Sequence, residues 1–334
     1  MKTRTIYGLL ILTVSFQSCF KKDTEVPRHS RGNVKTDTIA MTENYKYQVY
    51  FDLASESKIS TDSKTESDLG FECKSDGWHI ILNTSDFMKV ADIGIVPFGQ
   101  AHDTSHRTWK FDKSDGNPDS IAIGQWYTIT HTDTISNNHV YIINRGMDEN
   151  GNSLGFIQAV FDSLKNGTYY FRFAPLTGGN MIAASVVKDP TVHYLFYSFT
   201  NGGEIKRFEP PMTSYDLLFT QYTTLLFTDA GAAYPYMVTG VLSNRGKVAV
   251  AIDSVNSFAT LTMEIAGKLT FSYALDAIGY DWKVFNFTAG VYTVRTGLNY
   301  VIRDKEGLYY KFRFIGFNNA SGTKGYPVFE YQGL

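Results

Sequence analysis

The chain has 334 residues, enough for about two ordinary domains, and its 43% hydrophobic and 15% aromatic content is ample for packed cores. A formal net charge of −2 excludes the strongly basic footprint of a nucleic-acid binder. Only two cysteines occur, Cys19 and Cys73, which excludes a disulfide framework.

In chain order, the first element is a leader. Lys2 and Arg4 precede an apolar run at residues 6–16 (IYGLLILTVSF). It is shorter than the roughly 20 residues that span a bilayer core and suits a secretory signal peptide. The run ends Phe16-Gln17-Ser18-Cys19, which resembles a bacterial lipobox, with Phe16 where Leu or Val is usual. A signal peptide over residues 1–18 is therefore expected, with Cys19 lipidated as the mature N-terminus. Each buried CH₂ of such an anchor adds about 0.8 kcal/mol of membrane affinity. Residues 19–44 are polar and carry few apolar side chains, so they are predicted to be a flexible tether. The charged run Lys21-Lys22-Asp23 with Glu25 resembles signals that send lipoproteins to the outer face of the outer membrane.

Beyond Tyr45 the text is strand-like. Residues 47–53 (YQVYFDL), 78–82 (WHIIL), 140–144 (VYIIN), 169–173 (YYFRF), 192–199 (VHYLFYSF), 247–252 (KVAVAI) and 309–314 (YYKFRF) are rich in β-branched and aromatic residues. Turn signals such as Asn166-Gly167, Asn201-Gly202-Gly203 and Glu306-Gly307 separate them. Residues 254–266 read either as a short helix or as two strand pieces. An all-β fold follows.

The two halves share an order of landmarks. Residues 49–53 (VYFDL) and then 67–71 (SDLGF) are echoed by residues 195–199 (LFYSF) and then 215–219 (YDLLF). Ile123-Gly124-Gln125-Trp126 is echoed by Ile278-Gly279-Tyr280-Asp281-Trp282, and about fifteen residues after each Trp comes a strand, an acidic turn and an aromatic strand. A closing hairpin ends each half, with residues 168–173 in one and 326–331 in the other. A period this long is no solenoid unit; it predicts two tandem antiparallel β-rich domains at residues 45–190 and 191–334.

This order of aromatic strand, Tyr-Asp-Leu-x-Phe-like motif, Trp and aromatic hairpin resembles the HmuY family of haem-binding lipoproteins. Residues 215–224, Asp281-Trp282 and residues 309–317 (YYKFRFIGF) carry the nearer match. The resemblance takes in each half in turn, so the expectation is two tandem HmuY-like domains. It implies an all-β, outer-membrane-linked or surface-exposed protein that passes haem to an import receptor, expected to be a TonB-dependent outer-membrane haem receptor. It also implies axial ligands of two kinds, one a few residues after a Trp and the other in the loop region before it. His131 stands five residues after Trp126, and His102 and His106 lie upstream. His131 with His102 or His106 is thus the expected bis-histidyl pair, since haem iron takes facing His or Met donors.

The same histidines have plainer readings. Polar loops carry exposed histidines for solubility, and the spacing of His102 and His106 also suits a zinc site, although Asp103-Thr104-Ser105 between them reads as loop and no third ligand follows. His79 follows Trp78 inside a strand and is expected to be structural; His139 and His193 sit in or beside strands and carry no special partner; His29 falls in the tether. The second half has no histidine after His193, and Phe287 occupies the position that matches His131. Met212, Met237 and Met263 are the remaining iron-ligating side chains there, without an upstream–downstream pair.

No G-x-S-x-G elbow, H-E-x-x-H, P-loop or dinucleotide fingerprint occurs, so no enzyme is expected. Acidic pairs at Asp148-Glu149 and at Asp304 and Glu306 fall on tight turns, where they serve turn geometry. Cys73 reads as a buried small apolar group. The expected function is haem binding for iron acquisition at the cell envelope. The alternative is a non-catalytic surface module that recognises a glycan or a partner protein through exposed Tyr and Trp, without haem.

Overall fold

The computed structural model describes residues 32–130, 133–286, 288 and 290–334, and residues 31–334 form one compact unit. Among the described residues there are twenty-two strands, four short 3₁₀ turns and one α-helical turn, α1 (Met263–Ala266), inside the stretch whose sequence read either way. The first eleven strands are β1 (Lys35–Thr38), β2 (Tyr47–Asp52), β3 (Ser57–Ser63), β4 (Leu69–Glu72), β5 (Ile80–Leu82), β6 (Lys89–Asp92), β7 (Tyr127–Thr130), β8 (Asp133–Ser136), β9 (Tyr141–Asn144), β10 (Phe156–Lys165) and β11 (Thr168–Pro175). The second eleven are β12 (Ile182–Val187), β13 (Tyr194–Ser198), β14 (Glu204–Lys206), β15 (Leu217–Phe227), β16 (Ala233–Ser243), β17 (Ala249–Asp253), β18 (Lys283–Asn286), β19 (Val291–Val294), β20 (Asn299–Arg303), β21 (Tyr309–Asn318) and β22 (Lys324–Gly333). All pairings between them are antiparallel. The fold is all-β, as the sequence predicts.

The sheets come in matched pairs. Two five-stranded sheets run β1-β22-β21-β20-β17 and β12-β11-β10-β9-β6; two four-stranded sheets run β3-β2-β15-β16 and β14-β13-β4-β5; β7-β8 and β18-β19 are separate hairpins. Moving every label by eleven turns one member of each pair into the other. Each half lends its first three strands to the other half's sheets.

Side-chain alternation explains the layering, because successive residues of a strand face opposite sides. Along β22 the pattern strictly alternates, and Phe329 and Tyr331 point into one core. Phe329 stacks on Phe312 with ring centroids 4.9 Å apart and meets Phe51 and Phe219 at 5.3 Å each. The other core holds Phe71 stacked on Phe171 at 4.9 Å, with Tyr197 edge-on to Phe171 at 5.0 Å. Phe51, from the first half, therefore fills the second core, and Tyr197, from the second half, fills the first.

Two expectations are corrected here. Strand pairing does not follow a cut between residues 190 and 191: β2 pairs with β15 and β13 with β4, so residues 45–190 lack β13 and β14 of the body they would form, and residues 191–334 lack β1, β2 and β3 of theirs. The tether also ends earlier than Asn44. Residues 35–38 pair with β22, and Ile39 and Met41 are fully buried in the second core, two apolar positions spaced like a strand face. Residues 1–31, with Cys19 and His29, lie outside the described residues.

Two equivalent aspartates hold the exchanged strands. Asp68 donates its backbone N–H to Tyr197 O at 2.8 Å, and its Oδ2 accepts the Phe199 N–H at 2.7 Å. Asp216 repeats this with Phe51 O at 2.9 Å and the Leu53 N–H at 2.9 Å. Each is backed by a cation: Arg145 grips Asp68 through two N–H groups at 2.6 and 3.0 Å, while Lys305 lies 3.6 Å from Asp216 and pairs with Asp52. Each is followed by an asparagine, Asn83 or Asn244, whose side-chain amide caps the carbonyls of Ser67 or Tyr215. The Asp-Leu echo in the sequence marks this shared anchor.

Candidate functional site

The histidines separate into two groups. His79 is held in the structure as expected, whereas His139 and His193, for which the sequence suggested no special partner, each have one. His79 Nδ1 is 2.5 Å from Glu72 Oε2, with its ring stacked 4.0 Å over Trp78; His139 Nδ1 is 2.8 Å from Asp92; His193 Nε2 is 2.8 Å from Asn244 Oδ1. Burial lowers the His193 pKa, keeping its ring neutral.

His102 and His106 lie on the loop between β6 and the bridge at Lys110. His102 is half-buried; its backbone N–H donates to Leu176 O at 3.0 Å and its Nε2 lies 3.2 Å from Pro97 O. That contact makes Nε2 the donor and leaves Nδ1 as an acceptor. His106 is exposed and left-handed, with φ of 54°. The loop is held down by Gln158 of β10, which accepts the Gly99 N–H at 2.9 Å and donates to Gln100 O at 2.8 Å.

The expectation for His131 falls outside the described residues, as does that for Phe287. The strands flanking His131 in sequence are described. Trp126, fully buried just before β7, donates from Nε1 to Trp78 O at 3.1 Å. Ser136, at the end of β8, donates to Phe161 O of β10 at 2.5 Å. Ile129 and Ile135 are left 64% and 53% exposed, on opposite faces of the hairpin by its register. Loop and hairpin are thus both fastened to β10, at Gln158 and Phe161, about 10 Å apart at strand spacing.

Among the described residues, no group of three His, Cys, Asp or Glu side chains is arranged to hold a metal, so zinc at His102 and His106 gains no third ligand. Cys73 is buried in the first core, and burial raises its thiol pKa. The turn carboxylates are occupied: Asp148 Oδ1 accepts the N–H groups of Asn150 and Asn152, and Asp304 Oδ1 those of Glu306 and Leu308.

A second feature was not visible in the sequence. Between the two four-stranded sheets lies a cavity of about 150 Å³, entered past the exposed Lys113 and Asn117. Glu209 sits in its wall, its Oε1 accepting the Tyr215 O–H at 2.9 Å and its Oε2 the Tyr194 N–H at 2.9 Å; desolvation pushes its pKa up to about 7. Asp112 is buried opposite, accepting the N–H groups of Leu82 and Ala122 at 2.7 Å each, and is raised to about 6 for the same reason. Arg245 spans the mouth, donating to Gly116 O at 2.7 Å with its guanidinium 5.2 Å from the Tyr194 ring centre. Single acids after a phenylalanine, Asp112 after Phe111 and Glu209 after Phe208, were the available signal. The cavity is smaller than the roughly 300–1,000 Å³ of drug-sized ligand sites, so it does not hold a haem. A shallower pocket of about 420 Å³ beside it has no histidine in its lining.

No curated protein matches the chain. Among solved structures, apo PinO from Porphyromonas gingivitis is 10% identical, with 91% of this chain and 98% of that one covered and a TM-score of 0.30. The apo HmuY analog (TFO) of Tannerella forsythia is 11% identical, with the same coverages and a TM-score of 0.26. At those scores neither bears on the fold or the site. A sequence model described as HmuY protein matches residues 44–331. That single match takes in strands of both cores. The chain belongs to the HmuY family.

Proposed function

We propose that this protein is a non-catalytic, lipid-anchored haem carrier of the cell envelope, which binds haem between His131 and His102 or His106 and hands it to a TonB-dependent outer-membrane receptor. Family membership across residues 44–331 supports the haem reading. The observation that carries it to particular residues is the shared footing on β10: the loop with His102 and His106 and the hairpin strands flanking His131 are fastened within three residues of each other. Ile129 and Ile135 are exposed on opposite faces of the hairpin, so one of them would supply apolar contact of the kind a porphyrin needs. Among the described residues no helix is long and apolar enough to cross a membrane, and anchoring is assigned to Cys19.

Titration of the purified protein with haemin tests this reading. A saturable Soret band with bis-histidyl α/β bands, lost in His131→Ala and weakened in His102→Ala or His106→Ala, is the expected result. An unchanged spectrum in all three variants refutes the ligand assignment. The alternative, glycan or partner recognition without haem, draws on the exposed aromatic tip of β15 and β16, where Phe227 and Tyr236 are 65% and 52% exposed. It gains ground if haemin gives no saturable change.

A further inference from the structure

The loop between β6 and Lys110 has a stem and a tip, and its two histidines fall on different parts. In the stem, Gln158 binds Gly99 and Gln100, and its Nε2 also donates to Pro175 O at 2.9 Å. The Gly179 N–H donates to Gly99 O at 3.1 Å. Beside it Gly178, with φ of 85°, packs so closely that a Cβ there would lie 2.8 Å from Gly99 O. His102 belongs to this stem. Its main chain is tied to Leu176 O and its Nε2 to Pro97 O.

The stem is a device of the fold. Moving labels by eleven turns β10 into β21, and Gln158, opposite Ile142, becomes Lys311, opposite Val301. Lys311 Nζ donates to Phe258 O at 2.9 Å, on the loop that follows β17 as the first loop follows β6. That second loop contains no histidine. A clamp that recurs without histidines is scaffold, and His102 is engaged in it.

The tip differs. Asp103 Oδ1 accepts the Ser105 N–H at 2.8 Å, and Arg107 Nε donates to Asp103 O at 3.2 Å, so the chain turns tightly around residue 106. His106 takes a φ of 54°, a left-handed conformation that costs a side chain energy and that glycine adopts freely. Its ring is exposed, and among the described residues neither ring nitrogen is hydrogen-bonded. Backbone strain kept at an exposed side chain points to a use for that side chain. An axial imidazole meets haem iron most readily through Nε2, because Cβ beside Nδ1 brings the main chain against the porphyrin face. His102 would have to give up Pro97 O first. His106 has nothing to give up.

Resting on the haem reading, we infer that His106 is the iron ligand of this loop and that His102 is a positioning residue. The His102 Nε2–H holds Pro97 O and so fixes the stem from which the tip projects, with Gln158 supporting it from β10.

Haemin titration of the full chain, with free imidazole as a rescue probe, tests this division. His106→Gly should lose the bis-histidyl α/β bands and regain them when imidazole fills the vacated position. The melting temperature of its haem-free form should stay level or rise, because glycine suits that φ. His102→Ala should bind haemin about tenfold more weakly with its band positions unchanged, and imidazole should not restore the affinity. His102→Gln, which keeps a donor for Pro97 O, should recover most of that loss. Nitrogen NMR of the haem-free protein should show His102 fixed with its proton on Nε2 and His106 exchanging between tautomers. Loss of the bis-histidyl bands in His102→Gln, restored by imidazole, makes His102 the ligand and overturns the assignment. So does undiminished bis-histidyl binding by His106→Gly, or an unprotonated Nε2 at His102 whatever haemin does. A wild-type protein with no Soret response instead overturns the haem reading and takes the assignment with it.

Discussion

Cutting the chain at residue 190 should leave a first half that cannot fold alone. The perturbation is a stop after Pro190, giving a fragment of residues 32–190 that keeps β1 to β12 and loses β13 and β14. Val192, Leu195, Tyr197 and Phe199 vanish from the first core, where they are 7%, 2%, 5% and 6% exposed. Burial of each large apolar side chain contributes about 1.5–3 kcal/mol, so the four together remove about 6–12 kcal/mol. That is comparable with the whole stability of a typical domain, about 5–15 kcal/mol. The cut also frees the edge of β4 along Leu69–Glu72 and strips Asp68 of the Phe199 N–H. Fluorescence of Trp78 and Trp126, both within or against this core, should show no cooperative urea transition for the fragment. Adding a fragment of residues 191–334 should restore one. Cooperative unfolding of residues 32–190 alone, with stability near that of the intact chain, would refute the claim that each half completes the other.

Two further outcomes follow from buried charge. Asp68→Ala should cost about 3–5 kcal/mol in urea unfolding, because Arg145 loses a bidentate partner at a site where its side chain is only 15% exposed. A double-mutant cycle with Arg145→Met should return part of that loss, and a coupling below about 0.5 kcal/mol would contradict the anchor assignment. Asp112 gives a pH signature. Its folded pKa, about 6, lies above the ordinary 3.8 because burial favours the neutral acid. The stability it contributes is therefore complete below 3.8 and lost as pH rises through about 6, a difference of about 3 kcal/mol. Unfolding free energies measured from pH 4 to 7 should fall in the wild type, and the fall should be shallower by about 3 kcal/mol in Asp112→Asn, with the part due to Glu209, raised to about 7, remaining.

Much of the fold was legible because strand character is local. Runs such as residues 309–314 and 169–173 alternate aromatic and polar side chains, and they became β21 and β11. The echoed landmarks were also real structure, as Asp68 with Asp216 and Trp126 with Trp282 occupy matching places. What local pattern does not carry is the partner of each strand. β2 precedes β15 by more than 160 residues, and nothing in YQVYFDL says that its partner lies beyond the nearer candidates. Residues 35–44 were misread for a related reason: Ile39 and Met41 are only two apolar side chains, but both are fully inside a core built by distant strands. The seam cavity was hidden most completely. Its lining comes from β2, β5, β13, β15, β16 and the loops between them, so no spacing rule joins Asp112, Glu209, Tyr222 and Arg245. For the proposed haem region, the sequence supplied candidate ligands, and the structure added the shared footing on β10 of the loop with His102 and His106 and the hairpin strands flanking His131.

The pairing of β1 with β22 has a topological consequence. Lys35 lies opposite Tyr331, and Gln332 Nε2 donates to Gly32 O at 2.8 Å, so both ends of the described body leave from one sheet edge. A short bridge between them would make the polypeptide a closed ring. The ring could then be opened at the exposed β15–β16 turn, Thr228 to Gly231, without cutting any core strand. The linear order of the two halves is in this sense a matter of where the ring is broken. Whatever precedes residue 32, including any anchor at Cys19, reaches the body beside its last strand and far in sequence from the loop and hairpin on β10.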